Sequence, residues 1–272
     1  MGFRLGLAQC GYPADGDVCS QAETFAATAA NAGVQLLVFP ENLMSPKPLS
    51  ARELRDISQP LDGPFVAAML ASARRHGLWV VFTMSELNPA GGPPFNTAVV
   101  ADSAGTVRGA YRKCHLYDAH KVRESDRMSA GDALCSPVTT PFCTLGVGIC
   151  YDLRFPEVAR VLALGGCDLI VFPAAWHDGP HKQSHWQTLL RARAIENECY
   201  VAGTCHAADN LVHASMVVDP LGQSVRSECH SAGEALDSML ITAHIDLSEV
   251  NNARSAMPIL EHRRPQLYQQ LV

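Results

Sequence analysis

Short apolar runs of strand length alternate with longer runs whose apolar residues recur at helical spacing, and the alternation starts near the first residue. Leu5 to Gln9 reads as a strand, Gln21 to Asn31 as an Ala-rich helix, and Val34 to Phe39 as a buried strand that ends at Pro40-Glu41. A helix from Phe65 to His76, stopped by Gly77, feeds a third strand from Leu78 to Met84. Phe95 to Asp102 and Thr106 to Arg112 flank Ser103-Ala104-Gly105 as the arms of a hairpin would, so the predicted sheet is mixed rather than purely parallel.

From Cys114 to Pro137 the chain is polar and shows neither period, which in a compact α/β protein marks a functional loop or a disordered one. The rhythm then returns. Leu145 to Cys150 is a predicted strand, Pro156 to Leu164 a helix, Asp168 to Phe172 a strand, Ser184 to Glu198 a long helix and Tyr200 to Thr204 a strand. A second hairpin is expected between Ala214 to Asp219 and Ser224 to Arg226, and a last strand at Met239 to Ile245. With no linker, low-complexity tract or short repeat, residues 1–272 read as a single α/β domain of two similar halves.

Composition narrows the function. Of the residues, 47% are hydrophobic and 18% charged, enough apolar material for a sizeable core. The net charge of -6 and the lack of a basic cluster argue against nucleic acid or an anionic membrane as partner, leaving a small molecule. No apolar run reaches the roughly 18 residues of a spanning helix, and the start is not expected to serve as a signal peptide or myristoylation site. Ten cysteines without a C-x-x-C pair then suggest buried thiols in a reducing compartment, the cytoplasm.

One of those thiols sits where chemistry is expected. Cys150 ends an apolar strand and precedes a sharp turn into a helix, a place where backbone N–H groups can bind a developing negative charge. Glu41 also follows a strand and could act as a base. Lys113 opens the polar loop, where an ammonium could stabilise an oxyanion, and Glu124 lies within it. Taken singly, each has an ordinary reading as core thiol, turn cap or surface charge.

Their surroundings change that. Val38-Phe39-Pro40-Glu41-Asn42, Tyr111 to Tyr117 around Lys113, and Gly148-Ile149-Cys150-Tyr151-Asp152-Leu153-Arg154-Phe155-Pro156-Glu157 resemble the glutamate, lysine and cysteine segments of the nitrilase superfamily. The resemblance continues through Asp168 to Trp176, His185-Trp186, Arg191 to Asn197 and the tail Arg263 to Tyr268, and so covers nearly the whole chain. It implies a four-layer αββα sandwich, a homodimer paired through helices, no metal or organic cofactor, and hydrolysis of carbon–nitrogen bonds by a Glu-Lys-Cys triad. The helix from Ser184 to Glu198 and the C-terminal tail are the expected dimer contacts.

On that resemblance Glu41 is the base, Cys150 the nucleophile, Lys113 and the backbone N–H of Tyr151 the oxyanion donors, and Glu124 an additional carboxylate that orients the amide or Lys113. The Cys150 to Phe155 run is most similar to the omega-amidase and deaminated-glutathione amidase branch. The expected substrate is therefore a small linear amide bearing a carboxylate, which Arg154 could bind in bidentate fashion unless it pairs with Asp152 or Glu157. N-carbamoyl amino acids and nitriles are the alternative substrates, and a catalytically inactive scaffold of the same fold is the alternative of another class. His177, His181 and His185 recur every four residues, but Gly179-Pro180 interrupts any helix that would align them on a metal, so a substrate-side loop is the reading there. Cys205-His206 and Cys229-His230 lack partners at ligand spacing.

Overall fold

The computed structural model describes residues 2–232 and 238–267. In chain order the first half contains β1 (Gly2–Gln9), α1 (Val18–Asn31), β2 (Leu36–Val38), α2 (Ala51–Ile57), α3 (Pro64–His76), β3 (Trp79–Glu86), β4 (Phe95–Ala101) and β5 (Val107–Arg112). Two short pairs of residues, β6 (Asp118–Ala119) and β7 (Val122–Arg123), and then β8 (Val138–Thr139) lead to β9 (Thr144–Val147). The second half follows with α4 (Pro156–Leu164), β10 (Leu169–Ala174), α5 (Lys182–Asn197), β11 (Tyr200–Cys205), β12 (Met216–Val218), β13 (Ser227–Ser231), β14 (Met239–Asp246), α6 (Leu247–Ala256) and α7 (Ile259–His262).

Two mixed sheets stack between two helical layers. The larger has the order β13-β14-β1-β2-β3-β4-β5 and the smaller β12-β11-β10-β9-β8. On the outer face of the larger sheet, Leu37, Phe39, Val80 and Phe82 pack with Phe25 and Ala29 of α1 and Phe65 and Met69 of α3. Its inner face, with Leu5, Leu7, Leu36, Val38 and Val81, shares one cluster with Leu145 and Val147 of the smaller sheet and with Val158, Leu162, Trp186 and Leu190 of α4 and α5. The result is the αββα sandwich. Because both faces of the central strands are covered, β3 and β10 are buried at every position and show no alternation. Trp186 lies directly on the sheet because position 203 is Gly; a Cβ there would sit 2.2 Å from the indole.

This topology decides where side chains meet. Strands β1, β2 and β3 run parallel, and β5 returns to the same direction after antiparallel β4, so β2 and β5 end at one edge of the larger sheet. In the smaller sheet β9, β10 and β11 are parallel. Glu41 and Cys150 therefore do not share the rim of one sheet. They leave the ends of strands in two facing sheets.

The predicted pattern differs from the structure where local geometry outweighs periodicity. The strand before Cys150 stops at Val147, because Gly148 onward turns away from the sheet. The polar loop 114–137 holds the β6–β7 pair and a single 3-10 turn at Glu124–Asp126. Of the second hairpin, the turn is present, with the Asp219 N–H donating to the Gln223 carbonyl, but its far arm makes only a bridge from Ser224 to Val218 before the chain crosses to the larger sheet as β13. Tyr268, at the end of the tail noted above, lies outside the described residues.

Candidate active site

Cys150 is held in a strained backbone. Its φ is +46°, in the left-handed region that side chains with a Cβ seldom adopt, and it opens a 3-10 turn over Cys150–Arg154. Gly148 makes the approach possible, since a Cβ there would stand 2.5 Å from the Phe172 ring. The turn is over-determined by hydrogen bonds. Fully buried Asp152 accepts from the Ile149 N–H and from the Tyr111 hydroxyl, both at 2.8 Å, and its other oxygen lies 2.7 Å from His115 Nδ1. From α5, Arg193 Nε donates to the Leu153 carbonyl at 3.0 Å. These contacts supply the free energy that keeps an unfavourable φ in place.

Facing the thiol are the three other polar side chains singled out in the sequence. Glu41 Oε1 accepts from Lys113 Nζ at 2.9 Å and from Asn96 Nδ2 at 2.8 Å, while Oε2 accepts from the Ala175 N–H at 2.8 Å. The Cys150 thiol lines the same cavity as that carboxylate, whose negative charge acts on it. Lys113 Nζ also donates to both oxygens of Glu124, at 3.0 and 2.9 Å, and Glu124 Oε2 accepts from the Tyr117 N–H at 2.7 Å. All four residues are buried. The ammonium thus bridges two carboxylates in the cavity that the thiol also lines.

Burial and charge act against each other here. Burial pushes the Glu41 carboxyl up, but Lys113, the Ala175 N–H and the thiol together hold it below the usual carboxylate range. Burial likewise favours neutral Lys113, yet Glu124 and Glu41 keep it protonated well above its ordinary value. Burial and then the Glu41 charge push the Cys150 thiol well up. At neutral pH the resting site is a carboxylate, an ammonium and a thiol.

The group lies at the floor of a cavity of about 290 Å³. Tyr151 and Arg154 line it, with Tyr117, Trp176, His177 and Lys182 on the adjoining wall. The Arg154 guanidinium stacks over Trp176, 4.7 Å from the ring centroid, and among the described residues it pairs with neither Asp152 nor Glu157. The loop reading of the histidines fits: His177 lies before the break on the cavity wall, and α5 begins only at Lys182. Among the described residues no group of three His, Cys, Asp or Glu side chains is placed to hold a metal ion.

A family model described as carbon-nitrogen hydrolase matches residues 4–255. The chain belongs to the carbon–nitrogen hydrolase family. It is an amidase of the nitrilase superfamily. The hydrolase is 33% identical over 244 residues to a deaminated glutathione amidase of Escherichia coli O157:H7, covering 89% of this chain and 90% of that one. It is 33% identical over 280 residues to the omega-amidase NIT2 of Danio rerio, covering 98% of this chain and 96% of that one. The crystal structure of the Caenorhabditis elegans NitFhit protein superposes with a TM-score of 0.84 at 33% identity, over 98% of this chain and 66% of that longer one.

The structure brings Glu41, Lys113, Glu124, Cys150, Tyr151 and Arg154 to one cavity. Sequence reasoning missed the groups that hold them. Asn96 is a buried amide inside β4, and a polar side chain in an apolar strand was a usable signal. Asp152, weighed in the sequence only as an ion-pair partner of Arg154, instead holds the turn at Cys150. The Ala175 N–H carries no side-chain signal at all.

Proposed function

We propose that the hydrolase cleaves a small, linear, carboxylate-bearing amide through a thioester on Cys150, releasing ammonia. The observation that carries this reading is the burial of the Cys150 thiol in one cavity with Glu41, itself bound by Lys113. A thiol held well above its ordinary pKa is a poor nucleophile until its proton leaves. Glu41 takes that proton as sulfur attacks the carbonyl carbon, and the C–S bond forms. The oxyanion is received by the Lys113 ammonium and the Tyr151 N–H. Collapse breaks the C–N bond, and Glu41 returns the proton to departing ammonia. Water, deprotonated by Glu41, then opens the thioester and restores the thiol. Glu124 holds Lys113 against this work by accepting two of its hydrogen bonds.

Arg154 is read as the carboxylate-binding residue, supported by its place in the cavity wall without a carboxylate of its own. The names of the similar proteins, a deaminated glutathione amidase and an omega-amidase, point the same way. A panel of succinamate, 2-oxoglutaramate, deaminated glutathione, N-carbamoyl amino acids and simple nitriles, followed by ammonia release, tests the assignment. Carboxylate-bearing amides are expected to be hydrolysed fastest. Faster turnover of N-carbamoyl compounds, nitriles or neutral amides overturns the substrate class, and no turnover of any compound favours an inactive scaffold.

The same reading takes residues 1–272 as one domain, paired with a second copy through the outer helices. Exposed Val161 and Leu164 on α4 and Ile195 on α5 support that face as the contact. Ten free thiols fit a reducing compartment such as the cytoplasm.

A further inference from the structure

Lys182 is the first residue of α5, reached through Gly179 at φ +146° and His181 at φ +64°. Two contacts fix where it points. The Trp176 indole N–H donates to the Lys182 carbonyl at 3.1 Å, and Lys182 Nζ donates to the Tyr117 hydroxyl at 3.0 Å. The backbone N–H of Tyr117 in turn holds Glu124. Lys182 is thus tied to the reacting end of the cavity, although nothing in the chemistry proposed above uses it.

Its charge has no counterpart. Beyond the Glu41-Lys113-Glu124 cluster the cavity lining carries Lys47, which pairs with Glu53, and three cations that form no ion pair among the described residues, Arg127, Arg154 and Lys182, against the single carboxylate of Asp209. Trp176 joins the two residues: the Arg154 guanidinium stacks over its ring, and its indole N–H donates to the Lys182 backbone carbonyl. His177, which lines the same cavity, is held below its ordinary pKa by burial first, with Glu41 opposing and Lys182, Arg127 and Lys113 adding to the lowering, so it adds no further charge near neutral pH. A substrate with one carboxylate satisfies Arg154 and leaves the Lys182 ammonium facing only a phenol.

We infer that Lys182, steadied by Tyr117, is a second anion-binding position, and that the preferred substrate is an amide whose acyl part carries two carboxylates. This rests on the proposed function, in which Arg154 receives the first carboxylate. Lys182 sets specificity and takes no part in bond making or breaking. A charge-assisted hydrogen bond from a partly buried ammonium is enough to shift selectivity by about tenfold.

The test compares kcat/KM, by ammonia release at low ionic strength, for butyramide, succinamate and a monoamide of propane-1,2,3-tricarboxylic acid. The wild-type protein is expected to prefer the tricarboxylate monoamide over succinamate by about tenfold, and succinamate over butyramide. Lys182→Gln should lower the ratio of tricarboxylate monoamide to succinamate to about 1, and Lys182→Arg should restore most of it. A wild-type preference for succinamate over the tricarboxylate monoamide overturns the inference, as does a Lys182→Gln variant that lowers both equally. Failure of the proposed function looks different: butyramide then matches or exceeds both acids. Circular dichroism melts of each variant show that the ratios are compared between folded proteins.

Discussion

Replacing Lys113 by Met removes a charge while keeping most of the aliphatic stem, so the consequence can be worked from the contacts. The Lys113 side chain is 2% exposed and its Nζ lies 2.9 Å from Glu41 and 2.9 Å from Glu124. Breaking a buried ion pair by deleting one partner costs about 3–5 kcal/mol, and here two buried carboxylates lose the same cation, which favours the upper end. That is a large part of the about 5–15 kcal/mol by which a native protein is stable. The sign with pH follows from Glu41. In the wild type its carboxyl is held below the ordinary 4.5, so its contribution is present above that value and is lost as pH falls through the folded pKa. Lys113, held above its ordinary 10.5, contributes fully below that value and loses its share only as pH rises through the folded pKa. Without the ammonium, burial is the dominant influence on Glu41 and raises its carboxyl above 4.5, so the variant loses stability as pH rises. Urea unfolding followed by circular dichroism should give a destabilisation of about 2 kcal/mol at pH 5 that grows to about 5 kcal/mol at pH 8. A loss under about 1 kcal/mol, or one that is the same at both pH values, would refute the coupling of Lys113 to these buried carboxylates.

Three further outcomes are expected. Glu41→Gln should slow alkylation of Cys150 near neutral pH; since the Glu41 charge also raises the thiol pKa, a faster rate in the variant would mean that Glu41 acts on the thiol by charge and not as a base. The acid limb of kcat/KM should fall below pH 4.5, because Glu41 stays ionised down to its lowered pKa, and a limb near pH 6 in the folded protein would contradict that ionisation state. Light scattering at micromolar concentration should report a dimer, and replacing exposed Val161 and Leu164 by Asp should shift it to monomer; a monomeric wild type removes the pairing of outer helices.

The fold was legible where period and punctuation agreed. Gly77, with φ +67°, ends α3 at the predicted residue, and the β4–β5 hairpin turns at Ser103-Ala104-Gly105 with Gly105 at φ +75°. It was illegible where long-range pairing replaced local pattern. Ser227–Ser231 is an exposed polar strand that exists because β14 offers it an edge, and Val138–Thr139 is only two residues long. The four chemical residues could be named because their segments are distinctive, but their geometry could not. The positive φ of Cys150 is imposed by Asp152, which is itself held by Tyr111 and His115, 41 and 37 residues before it in the chain. The same holds for Lys182, whose partner Tyr117 is 65 residues distant in sequence.

The central claim is that Cys150 carries the acyl group between two half-reactions. Wild-type protein quenched in acid during turnover of succinamate, digested and examined by mass spectrometry, should show the peptide containing Cys150 bearing a succinyl group, formed by loss of ammonia from the amide, while Cys150→Ala shows neither adduct nor ammonia release yet melts like the wild type. Ammonia release by Cys150→Ala at the wild-type rate, or the acyl group on another residue, would contradict the account.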